Sequence, residues 1–295
     1  MTSRLVLGGA VYGRLTQQEV NTLMGTALEC GITRIDTAHG YEWSEERIGI
    51  FLRNNNAFQI NTKVGLPDRS VFTPIGIKLS VEDSLRRLGI ERIATLFVHS
   101  LEAKYLTDEN IGAMMALKQQ GKIERIGYAG DGDDLGSAIR IAAFDDFMVT
   151  HNIIDQANSS KVKEASGNSR IYYKLALGQA VWTSLEWKRR LKSHQLMRFL
   201  FNRPQVPDSW IDYCERFKTF ESEIDNKDFA ATFLRFALFS GTAKQFVILG
   251  TSNKRHILDA VKIEQNRTNL VMSEISKYED LWLSKSLPEW HSHGG

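Results

Sequence analysis

Residues 32–54 read ITRIDTAHGYEWSEERIGIFLRN and hold a short apolar run, a polar loop and an amphipathic helix in immediate succession. Ile32–Asp36 is a strand candidate that ends in a carboxylate, and Tyr41 lies in the loop beyond it. Ile48, Phe51 and Leu52 then recur at helical spacing through Ser44–Asn54. A strand that runs straight into a helix is half of a parallel crossover, so the fold depends on how often the unit repeats.

It repeats along the whole chain. Leu5–Gly8, Gln59–Lys63, Ala94–His99, Arg125–Tyr128, Phe147–His151, Arg170–Tyr173 and Phe246–Leu249 are the other short apolar runs, which makes eight strand candidates. Helical stretches separate most of them. Thr16–Cys30 puts Val20, Leu23, Met24, Ala27 and Leu28 on one face and stops at Gly31. Ser80–Leu88 is expected to open at Ser80, with Glu82 and Asp83 in its first turn. Asp108–Gln120 carries Ile111, Met114, Met115 and Leu117 before Gly121. The sequence therefore predicts an α/β protein, a (β/α)8 TIM barrel in a single domain over residues 1–295, with an open doubly wound sheet as the structural rival. About seventy residues separate the last two strand candidates, far more than an ordinary connection. They include a basic, aromatic stretch, Trp182–Pro207, and a helical one, Asp208–Ser240, so a long loop and helical insertion is expected there.

Composition narrows the function. The chain has 295 residues, 42% hydrophobic and 24% charged, as globular proteins do. A net charge of +2 supplies no general attraction for nucleic acid or a membrane surface. Cys30 and Cys214 are too few for a disulfide framework and have no metal-ligand spacing, so no metal is expected. No apolar run approaches the roughly 18 residues that span a bilayer. The N-terminus lacks a charged segment followed by an apolar one. A cytoplasmic protein acting on a small molecule is the expectation; oligomeric state is unreadable.

In a barrel of this kind the chemistry collects at the C-terminal ends of the strands. Those ends carry Asp36, Lys63 and His99, with Tyr41 in the loop after Asp36. A phenol titrates near 10, and a neighbouring ammonium favours its phenolate form. Asp36 can keep a buried Lys63 charged. His99 can hydrogen-bond a substrate oxygen, so the four groups suit proton transfer to or from a carbonyl oxygen.

Residues 35–49, Ile-Asp-Thr-Ala-His-Gly-Tyr-Glu-Trp-Ser-Glu-Glu-Arg-Ile-Gly, resemble the signature that surrounds the catalytic Asp and Tyr of aldo-keto reductases. Thr62-Lys63-Val64, Ser84-Leu85-Arg86-Arg87-Leu88-Gly89 and Leu96-Phe97-Val98-His99 resemble further motifs of that family, in order. The resemblance implies a catalytic tetrad of Asp36, Tyr41, Lys63 and His99, with Tyr41 as general acid/base, and an NADP(H)-dependent oxidoreductase acting on an aldehyde, ketone or sugar. It also implies that Tyr173 stacks on the nicotinamide. Gly250, Thr251, Ser252, Asn253, Lys254 and Arg255 resemble the adenosine-phosphate loop, in which Lys254 and Arg255 favour NADP, with NAD the alternative. Ala129, Gly130 and Met148 stand where the family has Ser, Asn and Gln around the nicotinamide amide, and Lys174 is a further departure. These departures motivate two rivals: a barrel enzyme that keeps the tetrad for elimination or epimerisation, and a non-catalytic NADP-binding regulatory subunit.

Other features have plain readings. The basic run from Lys188 to Arg203 reads as a solvated helix face, or as a lid over an anionic ligand. Asp131-Gly132-Asp133-Asp134 reads as a polar turn and helix cap rather than a calcium loop. His39 and Trp43 are expected to help line the pocket.

Overall fold

The computed structural model describes residues 3–184, 208–266 and 270–285, apart from positions 56, 166, 168, 225–227 and 242–243. The basic run from Lys188 to Arg203 lies outside the described residues. Eight strands form one closed barrel: β1 (Leu5–Gly8), β2 (Arg34–Asp36), β3 (Gln59–Val64), β4 (Ile93–His99), β5 (Ile123–Ala129), β6 (Asp146–Thr150), β7 (Arg170–Lys174) and β8 (Gln245–Gly250). Each pairs in parallel with the next, and Leu7 lies beside both Ile35 and Leu249, which closes the ring. The open-sheet rival is thereby excluded.

The outer layer begins with α1 (Gln17–Glu29), α2 (Ser44–Leu52), α3 (Pro74–Leu88), α4 (Asp108–Gln119), α5 (Gly132–Ile139) and α6 (Ser159–Ala165). In the long connection after β7 lie α7 (Asp208–Glu221) and α8 (Phe229–Phe239), and after β8 come α9 (Lys254–Gln265) and α10 (Leu270–Ser284). Local chemistry sets the helix starts. Thr16 and Glu19 exchange side chain-to-backbone hydrogen bonds at the head of α1, a complete capping box. α3 opens earlier than expected: Thr73 accepts from the Gly76 N–H and Pro74 occupies the first helical position. The sequence hid that start because Ile75 and Leu79, 74% and 63% exposed, break the apolar periodicity. At its other end Gly89 adopts φ +65, the left-handed conformation that terminates a helix.

The pleat of the strands sorts side chains into two environments. Alternate residues pack outward against the helices in one large core. The others face inward, where Val6, Phe97, Ala129, Met148 and Tyr172 form an apolar layer flanked by Phe246 and Ile248. Strand register puts Lys63 beside Phe97, Asp36 beside Asn61, and Lys174 beside Thr150, so these polar residues share the inward face. Gly127 makes room for that layer, since a Cβ there would sit 2.4 Å from two Phe97 ring atoms. Arg125 and Asp146 pair at 2.6 Å nearer the N-terminal ends of β5 and β6. Among the described residues no helix is long and apolar enough to cross a membrane.

Gly127→Ala is expected to destabilise the chain by about 1–3 kcal/mol through overpacking against Phe97. Combining it with Phe97→Leu should cost less than the sum of the two single changes, because the substitutions share one space. Urea unfolding of the three variants checks this, and strict additivity would refute it.

Candidate active site

The C-terminal ends of β2, β3 and β4 bring Asp36, Lys63 and His99 together, at 4%, 2% and 8% exposure. The Lys63 ammonium donates to Asp36 Oδ2 at 2.5 Å and to the Thr37 carbonyl at 2.8 Å. It also lies 5.0 Å from the centre of the Tyr41 ring. The Tyr41 and His99 rings meet edge to face, with centroids 5.6 Å apart. The three residues expected at the strand ends and Tyr41 from the loop after β2 thus form one continuous cluster.

Backbone bonds hold the loop that carries Tyr41 over the barrel. The Thr37 and His39 N–H groups donate to the Asn61 and Lys63 carbonyls, which extends the β2–β3 pairing past the end of β2. Below the loop, Ser44 Oγ donates to the Gly9 carbonyl at 2.8 Å and lies 2.9 Å from Thr37 Oγ1. Glu45, 1% exposed, accepts from Thr62 Oγ1 at 2.7 Å and faces His39 and Arg87 at 3.9 and 3.7 Å. From sequence, Glu45 is only an acid in the first turn of a helix; its tie to β3 is visible only in three dimensions. His39 is half-buried against this carboxylate, while Trp43 is 64% exposed.

Electrostatics follow from burial. Burial alone would pull Lys63 down, but Asp36 and then Tyr41 hold its ammonium above the ordinary lysine range. His99 is driven the other way, to about 3, first by burial and then by the Lys63 and Lys174 charges. The site therefore contains a fixed ammonium beside a phenol and a neutral imidazole. That set can pass a proton to a carbonyl oxygen while a ring N–H holds the same oxygen.

Tyr173 is not brought to this cluster. It points outward, 1% exposed, with its ring 4.4 Å from that of His151, which in turn stacks on Phe236 at 5.2 Å. The neighbouring Lys174 takes the inward place at the end of β7 and pairs with Asp131 at 3.0 Å. Asp131 occupies the N-cap position of α5 but makes no side-chain cap bond, which corrects its reading as a helix cap. Its carboxylate instead accepts from the Thr150 N–H, Thr150 Oγ1 and Asn158 Nδ2. Across the barrel mouth, Gly250 ends β8 with nothing within 4 Å of where a Cβ would stand. Asn253 caps α9 through the Arg255 N–H at 2.9 Å, and Thr251 Oγ1 bonds both the Asn253 N–H and His256. Ser252, Lys254 and Arg255 are exposed at that helix N-terminus. Among the described residues no three His, Cys, Asp or Glu side chains cluster as a metal site would.

Non-glycine residues in the left-handed region mark the mouth. Glu42, Ser100 and Leu175, at φ +43, +50 and +53, directly follow Tyr41, His99 and Lys174. Such conformations cost about 1–3 kcal/mol each and persist where the surroundings over-determine them.

The depressed His99 gives a pH signature. The unfolded chain takes up this proton near 6.5, and the folded chain only near 3. Between those values the unfolded state binds more protons, so His99 makes stability fall as pH drops through that window, by up to about 1.4 kcal/mol per pH unit. Urea unfolding of the wild type and His99→Gln at pH 7 and pH 4.5 should show a shallower pH dependence for the variant. Equal dependence would refute the assignment; His151, held at about 4 by burial, contributes equally to both proteins.

Comparison with known proteins agrees with this geometry. The model of the aldo/keto reductase family matches residues 4–282. A D-threo-aldose 1-dehydrogenase from Pseudomonas sp is 28% identical over 192 residues, covering 53% of this chain and 58% of that one. The chain spans between 33% and 55% of four other curated relatives. Among solved structures, the holo form of an aldo-keto reductase from Bacillus halodurans superposes with a TM-score of 0.77, at 20% identity, over 99% of this chain and 95% of that one. An aldo/keto reductase from Klebsiella pneumoniae in complex with NADP and acetate gives a TM-score of 0.69, at 17% identity, over 100% and 95%. With a closed barrel and a match across nearly its whole length, the chain belongs to the aldo/keto reductase family.

Proposed function

We propose that this chain is an NADP(H)-dependent oxidoreductase that interconverts a small carbonyl compound and its alcohol, with Tyr41 as general acid/base. The observation that carries the reading is the buried Lys63–Asp36 pair set against Tyr41 and a neutral His99. The phosphate end of the dinucleotide fits the open space at Gly250 and the loop Thr251–Arg255, exposed from Ser252 onward, at the N-terminus of α9. Lys254 and Arg255 favour a 2′-phosphate, and hence NADP over NAD, although Arg255 also leans towards Asp259 at 3.8 Å. When bound, NADP(H) supplies or accepts the hydride.

The protein's own part is positioning and proton transfer. Tyr41 delivers its proton to the carbonyl oxygen in reduction and takes it back in oxidation. His99, uncharged, donates a hydrogen bond to the same oxygen without competing for the proton. Lys63 holds its positive charge beside the phenol, and Asp36 keeps that charge in place. The second reading, a non-redox enzyme that keeps the tetrad, is favoured by one observation: Ala129, Gly130 and Met148 present no side-chain donor or acceptor where the family grips the nicotinamide amide.

Calorimetric titration of the purified protein with NADPH and NADH separates the readings, with tighter binding of NADPH expected. No affinity for either, and none carried through purification, would overturn the oxidoreductase reading. Tyr41→Phe is expected to lower carbonyl turnover roughly 10²- to 10⁴-fold while NADPH still binds. Undiminished turnover would remove Tyr41 from the mechanism.

A further inference from the structure

Lys174 is the last residue of β7, and its register beside Thr150 turns it into the barrel, above the apolar layer of Met148 and Tyr172. Its side chain is 21% exposed, and its ammonium is held by one carboxylate, that of Asp131, 4% exposed. That carboxylate is itself fixed. It accepts from the Thr150 N–H at 2.7 Å, from Asn158 Nδ2 at 2.9 Å and from Thr150 Oγ1 at 3.1 Å. Asp131 is therefore a rigid anchor for the ammonium, which carries three protons and, among the described residues, pairs with no second carboxylate.

Two further observations tie Lys174 to the reacting centre. Its charge is a cause, behind burial and Lys63, of the depression of His99, and both residues end their strands on the inward face of the barrel. Leu175 then turns the chain at φ +53, as Ser100 does after His99 and Glu42 after Tyr41, and Asn152 Nδ2 holds the Leu175 carbonyl at 2.9 Å. Left-handed residues thus directly follow Tyr41, His99 and Lys174 alike.

We infer that Lys174 is a specificity-determining residue that binds the carboxylate of a 2-oxo acid whose keto oxygen lies at Tyr41 and His99. This rests on the carbonyl-reductase reading and names its substrate class. A 2-oxo acid carries its carboxylate and keto oxygens on adjacent carbons, so the assignment has one small molecule meet Lys174 and the Tyr41–His99 pair together. A neutral aldehyde would gain nothing from the ammonium beyond its existing pairing with Asp131, whereas a carboxylate adds a charge-assisted contact. In the reaction, hydride from NADPH adds to the keto carbon, the Tyr41 proton goes to its oxygen, and the carboxylate leaves unchanged on a 2-hydroxy acid. One NADPH and one proton are consumed.

The test compares pyruvate and glyoxylate with methylglyoxal, a neutral analogue, at saturating NADPH in wild type, K174M and K174R. The wild type should favour the acids. K174M should lose roughly 10- to 100-fold in kcat/KM for them, mainly through KM, with methylglyoxal little changed and K174R restoring part of the loss. Equal losses on charged and neutral substrates, or weaker NADPH binding by K174M, would overturn the assignment and give the lysine to the cofactor or to the fold. Oxamate, a non-reducible isostere of pyruvate, is titrated into the NADPH-loaded proteins in parallel. Should no carbonyl be turned over, the reductase reading fails, while loss of oxamate binding in K174M still supports the lysine's role and retention overturns it. K174Q carries the same comparison if K174M does not fold.

Discussion

Lys63 and Asp36 meet 2.5 Å apart inside a parallel barrel, at 2% and 4% exposure, and the rest of the site depends on their pairing. Removing either charge from water costs several kcal/mol, and an ammonium left alone there would shed its proton. With Asp36 and the Thr37 carbonyl as acceptors, Lys63 stays charged, and that charge faces Tyr41 and presses His99 towards neutrality. The same residues join the architecture to the chemistry. The Lys63 carbonyl accepts from the His39 N–H, so the strand that carries the ammonium also holds down the loop that carries the phenol. One buried pair thus sets both the protonation of its neighbours and the position of the phenol.

The barrel's pleat decides which residues reach that environment. Strand neighbours alternate between the interior and the helical layer, and a shift of one residue exchanges the two. At the end of β7 this makes Lys174, rather than Tyr173, the group that faces the mouth, with Tyr172 contributing to the floor below. The floor of Phe97, Met148, Tyr172 and Ile248 excludes water from beneath the polar layer, which strengthens each interaction above it. Strained turns after Tyr41, His99 and Lys174 hold the side chains at the points where strands give way to loops.

Most of the barrel was legible in the sequence because each strand is a short apolar run and the following helix has its own periodicity. β1 matched to the residue, and β3, β4, β6, β7 and β8 lay within one residue at each end. α3 was misread because exposed Ile75 and Leu79 blurred its polar face, and the Thr73–Pro74 start was passed over. Asp36, Tyr41, Lys63 and His99 were legible because strand ends and one adjacent loop place them in a fixed order. Glu45 and Asp131 were not, since their partners, Thr62 and Lys174, lie on other elements and leave no local pattern.

The sequence by itself determined the class of fold and the identity of the four clustered groups, because apolar spacing and strand-end position are local properties of the chain. Only the tertiary structure decided that the sheet closes, that His99 is uncharged, and that Lys174 instead of Tyr173 takes the inward place at the end of β7. Those outcomes depend on register between strands, on burial and on charges brought together from distant positions. None of these is written in any one stretch of residues.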